Sequence, residues 1–355
     1  MDKYTVFFDG IMLAEEPVTV THKEAQVGKA HSLPRSGKHP EAKPYWPGCN
    51  LRGALRHAIA TIAAEASADN GKKFGIAEFF MVSQGTDINA IVDANENKIS
   101  VDADKKLRET NPVLSLLGRW KLQSKMDIGN AYPTSIDCVA YYGQGARGIV
   151  FEKNTELYDE IDDDEKIKLE KLLFWQSESS NDKQEIKKEI VKLKKAWKES
   201  NNDAEKRLLN EQIRAKEEDQ AVINKGGGEG GASGIRRPLQ GYEAFNANTE
   251  FKQRITLHNV TKLEIGLFIA GLRKFSRNPR VGAKSSLNNG LVSFDWTVLR
   301  YMDDKSLMPT ETGKISVSYS GGVAIADDLL KEGYDAWCGV ESNLQDFDID
   351  LTVLV

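Results

Sequence analysis

Residues 44–56 read PYWPGCNLRGALR, a turn that runs directly into a helix carrying two arginines one turn apart. Pro44, Pro47 and Gly48 hold the first part as turn and extended chain, and Asn50 is a good N-cap. Leu51, Ala54, Leu55, Ala58, Ile59, Ile62, Ala63 and Ala66 then recur at helical spacing. The pattern predicts a helix from near Leu51 that buries one face. Arg52 and Arg56 project together from its first turns, where free backbone N–H groups and the positive end of the helix dipole favour an anion. This outlines a phosphate site; the alternative is an amphipathic surface helix whose arginines are only solvated.

On either side of this helix the chain alternates strand and helix patterns. Tyr4 to Leu13 (YTVFFDGIML) reads as a first strand, followed by a long basic loop, Thr21 to Lys43. Asn111-Pro112 opens a short helix through Leu117, and Lys125 to Tyr142 reads as strand pieces broken at Pro133. Phe251 to Leu257 is a strand, Leu263 to Phe275 a second buried helix, and Gly290 to Arg300 a further strand. Strand, helix, strands, strand, helix, strand predicts an α+β fold with a sheet of the split βαβ kind.

Residues 153–224 break this pattern, being charged and helix-forming almost throughout. Ile186, Ile190, Leu193 and Trp197 form a seam that Leu209 and Ile213 could oppose, which predicts an inserted helical hairpin. Residues 225–234, with GGGEGGASG at their core, are expected to be a flexible return. The expected organisation is a main domain of residues 1–152 and 235–355, interrupted by the hairpin and this linker.

The net charge of −5 divides unevenly along the chain. Lys23 to Ala60 holds seven Lys/Arg against two acids and Ile235 to Arg300 eleven against four, whereas Tyr301 to Val355 holds three against eleven. Local basic stripes of this kind attract a phosphate backbone whatever the overall charge. The composition, 40% hydrophobic and 28% charged, is that of an ordinary globular chain. No apolar run is long enough to span a bilayer and the first residues lack signal-peptide architecture, so a cytoplasmic protein without membrane contact is expected. Cys49, Cys138 and Cys338 are scattered without a CxxC pair, which argues against a disulfide framework or a zinc site.

Gly143, Gly145 and Gly148 spell GxGxxG, but Ile149-Val150-Phe151 follows as a strand-like run where a dinucleotide fingerprint needs a helix. The glycines are read as a turn. No aspartate lies between Asp9 and Asp69, which leaves a metal nuclease without an aspartate cluster beside the basic loop. Asn278 to Leu291 (NPRVGAKSSLNNGL) is the second site-like segment. Gly282 and Gly290 would let the backbone approach a ligand, while Arg280, Lys284, Ser285, Ser286 and Asn288 supply donors suited to phosphate and ribose.

PYWPGCNLRGALR resembles the proline-glycine, small residue, basic-glycine-x-x-basic segment of CRISPR-associated RAMP proteins. GLFIAGLRKFSRNPRVGAKSSLNNGLV is similar to their late helix and glycine loop. NPVLSLLGRW (Asn111 to Trp120) with Met126 to Pro133, and Ile235 to Phe251, resemble two further family segments in the same order. The likeness leaves out Glu152 to Gly234 and is nearest to the Cas-seven backbone group, with His31 to Arg35 (HSLPR) favouring its type IV member.

The resemblance implies an RRM-like (ferredoxin-like) palm that polymerises along a guide RNA. It implies RNA contacts from Asn50, Arg52 and Arg56 on the helix, and from Lys29, His31, Arg35 and Lys38 in the basic loop. Further contacts are implied for Arg236 and Arg237 near a thumb, and for Arg280, Lys284, Ser285 and Ser286 in the glycine loop. Its implied partners are the guide RNA, target DNA, further copies of the chain and other CRISPR effector subunits, with no cofactor or metal. Relatives that cut target RNA carry a catalytic aspartate in the loop before the helix. Lys29, His31, Arg35 and Lys38 stand there instead, so a non-catalytic scaffold is expected. The competing expectation is a RAMP-type endoribonuclease for guide precursors, with His31 or His57 as acid or base. Few exposed aromatics are expected to stack bases, which would leave affinity to several subunits sharing one strand.

Overall fold

The computed structural model of the chain describes residues 2–20, 26–27, 30–37, 42–69, 71, 73–86, 101–120, 122–143, 145–146, 156, 162, 166, 186, 189–197, 203–225, 238–239, 241–303 and 306–341. The chain divides into two compact units, residues 1–142 with 242–355, and residues 143–241.

The first unit opens with β1 (Tyr4–Ala14), the short strands β2 (Gln26–Val27) and β3 (Ala30–His31), and the long helix α1 (Gly48–Asp69). Helices α2 (Ile76–Gln84), α3 (Val101–Thr110) and α4 (Pro112–Leu117) follow, then β4 (Met126–Ile128), β5 (Tyr132–Pro133) and β6 (Val139–Tyr142). Across the second unit lie β7 (Gly145–Ala146), α5 (Asp203–Lys225) and β8 (Pro238–Leu239). The first unit resumes with β9 (Tyr242–Phe245), β10 (Glu250–Val260), α6 (Lys262–Ser276), β11 (Val292–Arg300), β12 (Thr310–Ser318), β13 (Gly322–Ile325) and α7 (Asp328–Glu341).

Its main sheet has the order β13-β12-β11-β1-β10-β4, with β5 also on β10, and every neighbouring pair is antiparallel. The elements β1, α1, β4, β10, α6 and β11 thus form a βαββαβ unit whose fourth strand lies beside the first, then the third, then the second. The α+β class expected from the sequence is the class observed.

Alternation decides which face of this sheet is covered. Val6, Phe8 and Met12 of β1, Phe251 and Ile255 of β10, and Phe294, Trp296 and Val298 of β11 are buried. They share one core with Leu51, Leu55 and Ile59 of α1 and Ile265, Phe268 and Leu272 of α6. Asp9 and Arg254, opposite each other in the β1–β10 register, point the other way and pair at 2.5 Å.

The helix start expected at Asn111 and that of α6 at Thr261 are both capped by their own residues. The Asn111 side chain accepts from Leu114 N–H at 2.9 Å, and Thr261 forms a capping box with Glu264. Glu264 is buried, and Lys125 Nζ neutralises it at 2.6 and 2.9 Å.

The structure departs from the sequence expectation at two places in this unit. Helix α1 begins at Gly48, because Gly48 N–H finds Asn130 Oδ1 at 3.1 Å; Asn50 lies inside the first turn and is not the cap. A Cβ at Gly48 would lie 2.4 Å from Ile128 O, so the helix start is pressed against the end of β4. The acidic stretch after Tyr301, for which no element was expected, supplies β12, β13 and α7, with Leu329, Leu330 and Trp337 buried.

In the second unit, α5 and the helical residues 189–197 carry the expected seam, with Ile190 and Ile213 buried. Lys194 pairs with Glu217 at 2.7 Å and Lys216 with Glu189 at 2.8 Å across it. The flexible return expected at residues 226–234 lies outside the described residues. No helix among the described residues is long and apolar enough to cross a membrane.

Helices α6 and α7 touch backbone to backbone, since a Cβ on Gly266 would lie 2.0 Å from Gly333 O. Alanine is the better helix former by about 1 kcal/mol, but here the clash outweighs that gain. Gly266→Ala is expected to destabilise the protein by roughly 1–3 kcal/mol in urea unfolding.

Candidate nucleic-acid interface

Both donor-rich segments singled out in the sequence come to one end of the main sheet, where β1 leaves it. The start of α1 is fixed there by Gly48 and by a two-way backbone bridge between Trp46 and Ala131, at 2.9 and 2.8 Å. The loop after α6 docks on the chain leaving β1. Gly290 N–H donates to Pro17 O at 2.8 Å, Ala283 N–H to Thr19 O at 2.9 Å, and Glu15 N–H to Leu291 O at 2.9 Å. Gly282 makes this docking possible. Its φ is +83°, and a Cβ there would stand 2.3 Å from Thr19 O and 3.8 Å from the buried Trp46 Nε1.

β9 ties the basic loop to the same place. Val18 and Phe245 exchange backbone hydrogen bonds, Thr19 Oγ1 donates to Glu243 O at 2.7 Å, and His31 pairs with Tyr242 as a parallel bridge. The Tyr242 ring is the hub of this cluster. Asn289 Nδ2 reaches its Oη at 2.7 Å, Lys284 Nζ stands 4.7 Å from its centroid, and Tyr142 stacks on it at 5.4 Å and 9°.

Three of the arginines read as phosphate ligands are committed inside the protein. Arg56 donates to four carbonyls at the C-terminal ends of α2 and α4: Val82 at 2.9 Å, Met81 at 3.3 Å, Leu117 at 3.2 Å and Gly118 at 2.8 Å. Such carbonyls have no partner within their helices, so one guanidinium serves two helix ends. Burial, and then the neighbouring Arg52, pull the Arg56 pKa down to about 10, which still leaves it charged at neutral pH. Arg280 is held by both carboxylate oxygens of Glu16 and by Asn289 O at 2.9 Å. Arg35 makes a bidentate pair with Glu243 at 2.9 and 3.2 Å and also donates to Leu33 O. In each case a carboxylate or a helix end already holds the guanidinium that was expected to meet a phosphate.

The remaining expected residues differ in standing. Arg52 is half-buried on α1 with no partner among the described residues, and Asn50 turns its amide back to Pro47 O at 3.4 Å. Lys284 has only the Tyr242 ring, while Ser285 and Ser286 are exposed on a short turn flanked by Lys284 and Asn288 in left-handed conformations. His31 Nδ1 is enclosed without a partner. Lys29, Lys38, Arg236 and Arg237 lie outside the described residues.

Sequence reasoning missed Lys43, exposed on the segment leading to Trp46, and it missed the tyrosines. Tyr132 and Tyr141 are 47% and 56% exposed, Tyr45 lies 5.9 Å from Tyr132 between centroids, and Tyr142 is half-buried. The expectation of few exposed aromatics is therefore corrected for this end of the sheet. Alternation in YPTSIDCVAYY was the available signal, but only the pairing of β6 with β9 shows which ring is backed by another. Burial, and then Tyr242, raise the pKa of Tyr142, so its hydroxyl stays protonated at neutral pH.

No protein-family model matches the chain, and no curated protein matches it. Among solved structures, a chain of a Type IV-B CRISPR complex is 11% identical over 86% of this chain and 95% of that one, with a TM-score of 0.37. A likeness this distant fixes neither fold nor function.

Removing the Arg56 guanidinium strands the carbonyls of Val82, Leu117 and Gly118, since only Met81 O keeps a second donor, Gly85 N–H, whereas Arg52 leaves no partner behind among the described residues. Arg56→Ala is expected to cost at least about 2 kcal/mol of stability in chemical denaturation and Arg52→Ala less than about 0.5.

Proposed function

We propose that this chain is a guide-RNA-binding backbone subunit of a type IV CRISPR ribonucleoprotein, acting in antiviral defence in the cytoplasm. It holds the guide by its backbone and presents it for pairing with target DNA, without cutting either strand. The observation that carries this reading is the convergence of the α1 start and the Gly282–Gly290 loop on one end of a βαββαβ sheet, with Arg52, Lys43, Lys284, Ser285 and Ser286 as donors not hydrogen-bonded to any of the described residues through their side chains. The order of the four family-like sequence segments supports it independently, and the βαββαβ strand order supports an RRM-like palm. Donors without base-reading geometry suit a protein that leaves sequence recognition to base pairing.

Few cations among the described residues here are uncommitted, so tight binding requires several copies on one strand, with other CRISPR effector subunits at its ends. The acidic residues of α7 and the basic loop of a neighbouring copy are opposite in sign and would steer a head-to-tail contact, the geometry of an open filament. Native mass measurement on guides of increasing length should give one further copy per fixed increment of RNA. One protein per RNA at every length would rule out the filament.

Arg52→Ala is expected to weaken binding equally for unrelated RNA sequences and to lower the slope of log K against log salt by about 0.7, one single-strand phosphate. An unchanged slope would show that Arg52 faces away from the strand. The endoribonuclease alternative is separated by incubation with repeat RNA. The guide should remain intact, and metal-independent cutting that disappears in His31→Ala would replace the scaffold reading.

A further inference from the structure

Strand pairing places Tyr142, the last residue of β6, opposite Tyr242, the first of β9. Of these two rings one is locked and the other is not. Tyr242 is 8% exposed, bonded at its hydroxyl by Asn289 and covered by the Lys284 ammonium. Lys284 is itself set by a left-handed backbone, φ +62°, at the start of the Ser285–Leu287 turn. Tyr142 is half-buried, and its hydroxyl has no hydrogen-bond partner among the described residues. A ring backed by a locked ring offers a flat π-surface whose ordering has already been met by folding.

The charge beside this stack narrows its ligand. Glu243 is taken by Arg35 and Glu16 by Arg280, so among the described residues Lys284 has no carboxylate partner and is flanked by two exposed hydroxyls. Tyr142 and Lys284 both sit on the Tyr242 ring, and a π-face and a cation with hydroxyl donors match the two halves of a nucleotide, a base and its phosphate.

We propose that Tyr142 is a stacking platform for one base of a single-stranded nucleic acid, with the flanking phosphate on Lys284, Ser285 and Ser286. Tyr242 and Asn289 position the platform and touch no ligand. This rests on the RNA-binding reading and adds to it a base contact in a protein otherwise proposed to hold only the backbone. Every base has a π-face, so the contact tolerates any sequence.

The test uses the full chain, freed of nucleic acid, and single-stranded RNA carrying 2-aminopurine at successive positions. Wild type should quench the probe at one position or at regularly spaced ones. Tyr142→Ala and Tyr142→Leu should lose the quenching and bind roughly 5–10-fold more weakly with an unchanged salt slope. Tyr142→Phe should retain both quenching and affinity, because the ring and not the hydroxyl does the stacking. Lys284→Ala should keep some quenching and lower the salt slope by about 0.7. Equal quenching and equal affinity in wild type, Tyr142→Ala and Tyr142→Leu would overturn the platform while leaving RNA binding intact. Failure of wild type to bind any of the RNAs would overturn the RNA-binding reading and the platform together.

Discussion

The chain leaving β1 organises the whole candidate interface by hydrogen-bonding on both of its sides. Glu15, Pro17 and Thr19 bond to Leu291, Gly290 and Ala283 of the loop after α6, while Val18 and Thr19 bond to Phe245 and Glu243 of β9. Four residues thereby hold together pieces of chain more than 200 positions apart. Without this double seam the basic loop, the glycine loop and the tyrosine stack would be three separate surface features. Gly282 is its tightest point, since any side chain there would strike Thr19 O.

The elements were largely legible in the sequence because their causes are local. Period-2 alternation marks β1, β10 and β11, and 3.6-residue spacing marks α1 and α6. Asn111-Pro112 and Thr261 to Glu264 carry their own capping chemistry. The start of α1 was misplaced because its decisive partner, Asn130, is 82 residues away. β12, β13 and α7 were hidden by an acidic composition that says nothing about Leu330 and Trp337, whose burial depends on Gly266 and Gly333 letting two helices touch.

The site was legible as places and not as roles. The two segments expected to bind phosphate do share one end of the sheet, yet the arginines that made them conspicuous are mostly structural. A guanidinium cannot be assigned from its own neighbourhood. Arg35 is paired with a carboxylate 208 residues away, Arg280 with one 264 away, and Arg56 with carbonyls 25 to 62 residues away. The less conspicuous donors, Lys43, Lys284, Ser285 and Ser286, remain outward because nothing in the fold requires them.

This division has a consequence for how strongly one copy can hold a strand. Arginines committed to Glu16 and Glu243 cancel charge in place, so few cations among the described residues of the interface are left to attract a polyanion. A site so weakly charged would release a single nucleotide readily, and a few phosphate contacts per copy amount to modest affinity at physiological salt. Binding strength must then come from repetition along the strand, where each added copy acts at high effective concentration beside the last. A pre-stacked ring pair fits the same logic. It adds a short-range contact that salt does not screen, and so fixes the register that loosely held phosphates would leave free to slide.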